Sequence, residues 1–382
     1  MMSARPPQDE ASRVEDVVEA LSAASREGRR VRPVGAGSWA DAWGLDGDTP
    51  DAPDATIGIG SFAEVVEYEP ADLTMTVGAG ATLSSIAELA RQNAQWLAVD
   101  PTAQSAATIG ATVATASSGA LRAGFGAVRD HVLGLTLVTG DGRVLELGGR
   151  VVKNVAGFDL LKLMVGGWGR FGIVTRVTVR LNPLPTRDIT LIYDSEDTAQ
   201  LATVARTLAT APVVPAALRL DFVGSSARLA TRIVGSDASA PEEARVLESA
   251  AAVGPTPRRE TGEGSVGFWE TQSRPVANDP TELEMFFAPS ALPSMVGPIQ
   301  EAQRAGWRIR CDATEGLCTV VGTGAPLESI SSWTRAGASL RVLRATGEER
   351  AALKNFEDAP DPAVRRLVDR LVHAFDPLGV LG

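Results

Sequence analysis

The 382-residue sequence predicts an α+β fold of two main domains. Three observations carry this. Up to about residue 184 the chain mixes strand-like and helical signals with recurrent glycine pairs and triplets. Pro183 and Pro185 then break a strand and mark a boundary. Beyond them, strand-like and helical segments alternate in a way that suits an antiparallel sheet covered by helices on one face. The length is ample for a large core.

The elements follow in order. Residues 1–10 read as a disordered tail, and Arg13 to Arg26 as an amphipathic helix with Val14, Val17, Val18 and Leu21 on one face. A strand over Val31–Val34 runs into Gly35-Ala36-Gly37-Ser38, and three more strands are predicted near Ala55–Ile59, Val65–Tyr68 and Thr74–Val77. Thr82 has the chemistry of a helix cap, with the helix reaching about Gln92. Asp100 to Gly126 is rich in Ala, Gly, Ser and Thr and poor in charge, and reads as a buried loop offering donors without bulk. Asp141-Gly142 between Val132–Val138 and Val144–Leu147 is a hairpin signal.

Val151 to Val174 is the most informative stretch. A polar turn with Lys153, Asn154 and Asp159 leads into a short apolar helix, Leu160 to Met164, then into Gly166, Gly167, Gly169 and Gly172, then into a strand from Ile173. The Gly167, Gly169, Gly172 spacing is formally G-x-G-x-x-G. A dinucleotide fingerprint must follow a strand and open a helix, whereas this one follows a helix and opens a strand, so NAD binding of that type is rejected.

In the second part, strands are expected over Ile189–Tyr193, Leu218–Phe222, Leu229–Val234, Glu282–Phe287, Arg308–Cys311, Leu317–Val321 and Ser339–Leu343. Helices are expected over Asp197–Ala209, Pro241–Ala251, Pro293–Ala305 and Leu327–Arg335, with a last one from Pro362 to Phe375. The domain scheme is a tail over 1–10, a first domain over 11–184, a cap over 185–347 and a helical return segment over 348–382.

Composition excludes several functions. A net charge of −11 argues against a nucleic-acid partner. No apolar run approaches membrane-spanning length, and residues 1–10 lack the apolar core of a signal peptide, so a cytoplasmic protein is expected. Cys311 and Cys318 have no metal-site spacing and read as small buried apolar residues. The two histidines, His131 and His373, lie far apart, which argues against a protein-built metal site and a Ser-His-Asp hydrolase.

Six blocks in order, Arg32–Ser38, Val77–Gly80, Asp100–Gly119, Gly124–Gly134, Gly140–Gly142 and Gly169–Thr175, resemble the vanillyl-alcohol-oxidase (PCMH-type) FAD-binding domain. Within that superfamily, G-G-R-V-V-K-N-V-A-G-F-D-L over Gly148–Leu160, G-F-W over Gly267–Trp269 and A-F-D-P-L-G over Ala374–Gly379 resemble the FAD-binding E subunit of glycolate oxidase. The resemblance implies a two-lobed FAD-binding domain followed by a cap of antiparallel sheet with helices. It implies a first phosphate loop over Pro33, Gly35, Ala36, Gly37, Ser38 and Trp39. A second contact would involve Pro101, Thr102, Thr108, Ile109, Gly110 and Thr112. Ser118, Gly119, Arg122 and Gly124 would lie beside the flavin, and Gly172, Ile173 and Val174 at the ribityl and adenine end. Gly37-Ser38-Trp39 offers no His or Cys for a covalent link, so non-covalent FAD is expected.

The implied activity is glycolate oxidation to glyoxylate, as one subunit beside a second FAD-containing subunit and an iron–sulfur subunit, with peripheral membrane attachment only through partners. Alternatives are a stand-alone FAD-linked oxidase or dehydrogenase of another alcohol or hydroxy acid, and a non-catalytic scaffold subunit. Lys153 is a weak catalytic candidate near the flavin. Asp159 reads as a helix cap and Trp269 as core or interface. Arg219, Arg228 and Arg232 are candidates for binding a substrate carboxylate, against the plainer reading of a solvated face.

Overall fold

The computed structural model describes residues 8–37, 53–101, 106–149, 159–272, 281–354, 356 and 361–381. Contacts divide the chain into two compact units. The first comprises Met1–Gly119, Gly126–Leu184 and Pro360–Gly382, and the second Ala120–Phe125 and Pro185–Ala359. Two short pieces thus depart from a simple partition at residue 184. Ala120–Phe125 joins the second unit, and the last helix joins the first.

In the first unit, Gln8–Glu10, Ala55–Gly58 and Val31–Val34 form a parallel three-stranded sheet with Ala55–Gly58 in the middle. Gln8–Glu10 is a strand where a tail was expected. A five-stranded antiparallel sheet has the order Val65–Glu69, Thr74–Gly78, Ile173–Arg180, Val132–Val138, Val144–Gly148. Its centre is Ile173–Arg180, whose Ile173, Val177 and Val179 are all buried. Val144–Gly148 pairs with Val132–Val138 across the expected Asp141-Gly142 turn, where Gly142 has φ +81. The helix Val14–Glu27 buries Val17, Leu21 and Ala24, and stops at Gly28 in the left-handed conformation.

Asp100–Gly126 is not a continuous loop. Thr108 caps a helix over Ile109–Thr115, its Oγ1 accepting from Ala111 N at 3.3 Å. The closing helix Pro362–Phe375 docks by its C-terminal end. Phe375 is buried edge-to-face on Phe171, with centroids 5.7 Å apart. Asp376 accepts from Val380 N at 2.9 Å and Leu381 N at 2.8 Å, and Gly140 N donates to Phe375 O at 2.9 Å.

The second unit is an eight-stranded antiparallel sheet. Its order is Arg258–Thr261, Arg187–Ser195, Ser226–Gly235, Ala217–Val223, Arg308–Asp312, Leu317–Gly322, Thr281–Phe286, Ser339–Arg344. Alternation decides its faces. Leu218, Leu220 and Phe222 enter a core with residues of the helices Thr198–Ala209, Ser239–Ala250, Leu292–Arg304 and Leu327–Arg335. Ala217 instead belongs to a separate cluster with Ile192, Ala230 and Trp269.

Cys311 and Cys318 stand opposite each other on paired strands, with Cα atoms 4.1 Å apart, and form a disulfide. They are buried as expected, but they are not free thiols. Among the described residues, no helix is long and apolar enough to cross a membrane.

Candidate functional site

A slot in the first unit gathers residues from distant parts of the sequence. Pro33, Val34, Gly35 and Gly37 form one wall at the end of the strand Val31–Val34. The helix Ile109–Thr115 presents Gly110, Ala111, Ala114 and Thr115. Gly167, Gly169, Phe171, Gly172 and Val174 close the third side, over an apolar floor of Ile59, Leu137 and Met164. Its volume of about 50 Å³ is narrow, on the order of four water positions. That suits a chain-like group such as a diphosphate better than a three-ring system.

The glycines serve different ends. A Cβ on Gly35 would lie 2.5 Å from Thr108 Oγ1, one on Gly110 2.8 Å from both Ala79 Cβ and Ala79 O, and one on Gly172 2.4 Å from Leu137 Cδ1. These three let protein elements close on each other. Gly37 differs. Its φ is +75, and among the described residues a Cβ there meets nothing within 4 Å. Gly37 is a slot glycine whose missing side chain no described residue would crowd.

The helix Ile109–Thr115 begins at the slot, but its first amides have internal partners. Ile109 N donates to Ala81 O at 2.9 Å, Gly110 N to Ala79 O at 2.8 Å, and Thr112 N to Thr108 O at 3.0 Å. Thr112 Oγ1 also donates to Thr108 O, at 2.9 Å. This helix therefore offers a close, nearly side-chain-free surface rather than a set of donors. The glycine turn is bound to the far end of the same helix, Gly166 N donating to Val113 O and Trp168 N to Ala114 O, each at 2.9 Å.

Pro33, Gly35, Gly37, Gly110, Gly172 and Val174 are thus brought together. Thr108 is the helix cap packed against Gly35. Ile109, Thr112 and Ile173 are buried behind the slot. Ser118 donates to Ala116 O at 3.4 Å, and Gly119 abuts Asp100, whose carbonyl leaves no room for a Cβ. Arg122 and Gly124 belong to the second unit. There Arg122 pairs with Glu315 at 3.1 Å, and Gly124 N donates to Ala216 O at 3.2 Å. Ser38, Trp39, Thr102 and Lys153 lie outside the described residues. Asp159 caps Leu160–Met164, accepting from Lys162 N at 3.4 Å.

In the second unit the three candidate arginines separate. Arg228 is held by Asp194 at 2.7 Å. Arg232 is buried against Asp188 at 2.6 Å, and Asp188 also accepts from Ser265 Oγ at 2.5 Å. Arg219 has its guanidinium carbon 5.5 Å from the Trp269 ring centroid, and its Nη1 makes no hydrogen bond among the described residues. Trp269, buried, donates from Nε1 to Thr190 Oγ1 at 2.9 Å. Two residues from Arg219, Asp221 is buried and lies opposite Arg228 on one neighbouring strand and Arg310 on the other. Burial raises its pKa above the ordinary carboxylate value, against the opposing pull of Arg219, then Arg310 and Arg228. Neither the raised carboxyl of Asp221 nor the distinct state of Arg219 was legible without the strand register.

Residues 10–148 match the family described as FAD binding domain. The match covers little more than a third of the chain, and it points to FAD as the cofactor. The chain is similar to glycolate oxidase subunit GlcE of Escherichia coli K12, with 36% identity over 137 residues, covering 36% of this chain and 39% of that protein. It is also similar to glycolate oxidase subunit GlcD of Bacillus subtilis 168, with 32% identity over 155 residues, covering 41% of this chain and 33% of that one. A D-lactate dehydrogenase of Archaeoglobus fulgidus is 36% identical over 115 residues, 30% of this chain and 26% of that protein. The chain therefore spans well under half the length of these relatives. Two solved structures of alkyldihydroxyacetonephosphate synthase share the fold, with TM-scores of 0.71 and 0.73 at 13% identity, covering 98% of this chain and 75% and 76% of theirs.

Proposed function

We propose that the chain is the FAD-binding subunit of a complex that oxidises a small 2-hydroxy acid, glycolate to glyoxylate. It would work beside a second FAD-containing subunit and an iron–sulfur subunit. The observation that carries this is the slot of Gly35, Gly37, Gly110 and Gly172 in a domain similar to GlcE. Gly37 gives the cofactor's phosphates room, while Gly35, Gly110 and Gly172 hold the walls closed around them. Bound there, FAD supplies the two-electron acceptor. In the second unit, Arg219 is the candidate to bind the substrate carboxylate, because Asp194 and Asp188 already engage Arg228 and Arg232. Lys153 remains a candidate to stabilise the reduced flavin.

The test is one preparation read twice. Acid precipitation of the purified chain should release all the flavin into the supernatant, since no linking His or Cys flanks Gly37. Colour retained in the pellet overturns non-covalent binding. Glycolate oxidation with an artificial acceptor should then be near zero for the chain alone and appear on co-expression with the two partner subunits. Turnover of roughly 1–10³ s⁻¹ by the isolated chain overturns the subunit reading and favours a stand-alone dehydrogenase.

A further inference from the structure

The closing helix, Pro362–Phe375, carries Val364, Leu367 and Leu371 along one side, at the three- and four-residue steps of a helical face. Its C-terminal half is in use. Leu371 and Val372 pack on the first unit's core, and Phe375 is buried. Its N-terminal half is not: Val364 is 50% and Leu367 52% exposed. The same helix carries three arginines, Arg365, Arg366 and Arg370, against one acid, Asp369. It is a basic segment in a chain of net charge −11.

The first unit also carries a surface of opposite character. An open groove of about 850 Å³ is lined by Asp9, Glu10, Asp16, Glu19 and Asp141 with Arg26. Asp16 is paired with Arg13 at 2.8 Å and Asp141 with Arg143 at 2.7 Å, so Asp9, Glu10 and Glu19 carry the acidic character of the groove. Its apolar lining includes Val18 and Leu378, and Leu378 is 59% exposed. Leu378 lies three residues beyond the end of the helix, so helix and groove adjoin on the same unit. Two adjoining surfaces of opposite charge satisfy each other reciprocally when a second copy is turned about a two-fold axis. Each helix then enters the other's groove, and every contact occurs twice.

We propose that the chain self-associates in this way, the basic helix Pro362–Phe375 of one copy seated in the acidic groove of the other. A helix of 14 residues is about 21 Å long, and two such contacts together approach the area of a specific interface, on the order of 1,000 Å². Leu367 and Val364 enter against Val18 and Leu378, while Arg366 and Arg370, one turn apart, meet the groove's carboxylates. This self-association does not depend on the flavin chemistry.

The experiment is sedimentation velocity on the FAD-loaded full chain over a range of concentrations, in low and high salt. The wild type should be dimeric and should weaken in high salt, because the contact is charge-paired. Arg366→Glu with Arg370→Glu should weaken association by at least about tenfold, as should Glu10→Lys with Glu19→Lys. Combining all four should restore it. Leu367→Asp should abolish it through the apolar contact, and unchanged flavin content shows each variant to be folded. A wild type that stays monomeric at every concentration overturns the proposal. So does a four-residue swap that fails to restore the dimer, or helix variants that lose only binding to anionic vesicles or to another subunit.

Discussion

Gly110 and Gly37 both line the slot, yet their substitution should fail for different reasons. Valine at Gly110 would press on Ala79, so Gly110→Val should lower the stability of the flavin-free protein by about 1–3 kcal/mol, read from its denaturant midpoint. Valine at Gly37 would press on no described residue, so beyond the cost of its positive φ, roughly 1–2 kcal/mol, it should act on FAD affinity. If Gly110→Val leaves the midpoint in place, or Gly37→Val keeps wild-type FAD affinity, the division of labour is wrong. Asp221 makes a second case. Its folded pKa lies above the unfolded value, so the folded state binds the extra proton. The stability it contributes is present at low pH and is lost as pH rises from the ordinary carboxylate range through the raised value. Asp221→Asn should therefore flatten the fall of Tm with rising pH. A Tm profile parallel to wild type would show that Asp221 keeps an ordinary pKa.

The strands of the second unit were legible because alternation is strong where one face is buried. Leu218, Leu220 and Phe222 mark the observed strand Ala217–Val223 within a residue at each end. The helix Ile109–Thr115 was not, since a seven-residue sequence without charges has no amphipathic stripe to read. Its one signal was Thr108, a capping residue before a short apolar run. Arg258–Thr261 is mostly charged, and Glu263–Gln272 is interrupted by Gly264 and Gly267, so neither matched a period. Of the slot, the glycines were readable as close-approach positions, but which of them face open space depends on partners such as Ala79 and Leu137, far away in sequence. The closing helix was legible, but its role was not. Phe375 supports Phe171, which lines the slot. Phe375→Ala should cost about 3–5 kcal/mol and release FAD at lower denaturant than wild type, seen as recovery of free-flavin fluorescence. Flavin release at the wild-type midpoint would show that the ring pair does not support the slot.

Across the chain, the boundary near Pro185 was visible in composition, whereas the exchange of short pieces between units was not. Ala120–Phe125 carries no local sign that its partners are Ala216 and Glu315. Charge behaves in the same way. The total of −11 is readable from the sequence, but the gathering of Asp9, Glu10 and Glu19 opposite in character to a basic helix exists only once the fold is made.

The return of Pro360–Gly382 to the first unit also orders events during synthesis. A ribosome adding about 5–20 residues per second delivers the whole of the second unit before the segment that anchors Gly140 and Phe171. Through that interval the FAD-binding unit lacks its last strap, while the second unit already has all its strands. The second unit is therefore complete before the first receives the segment that holds Phe171 and Gly140.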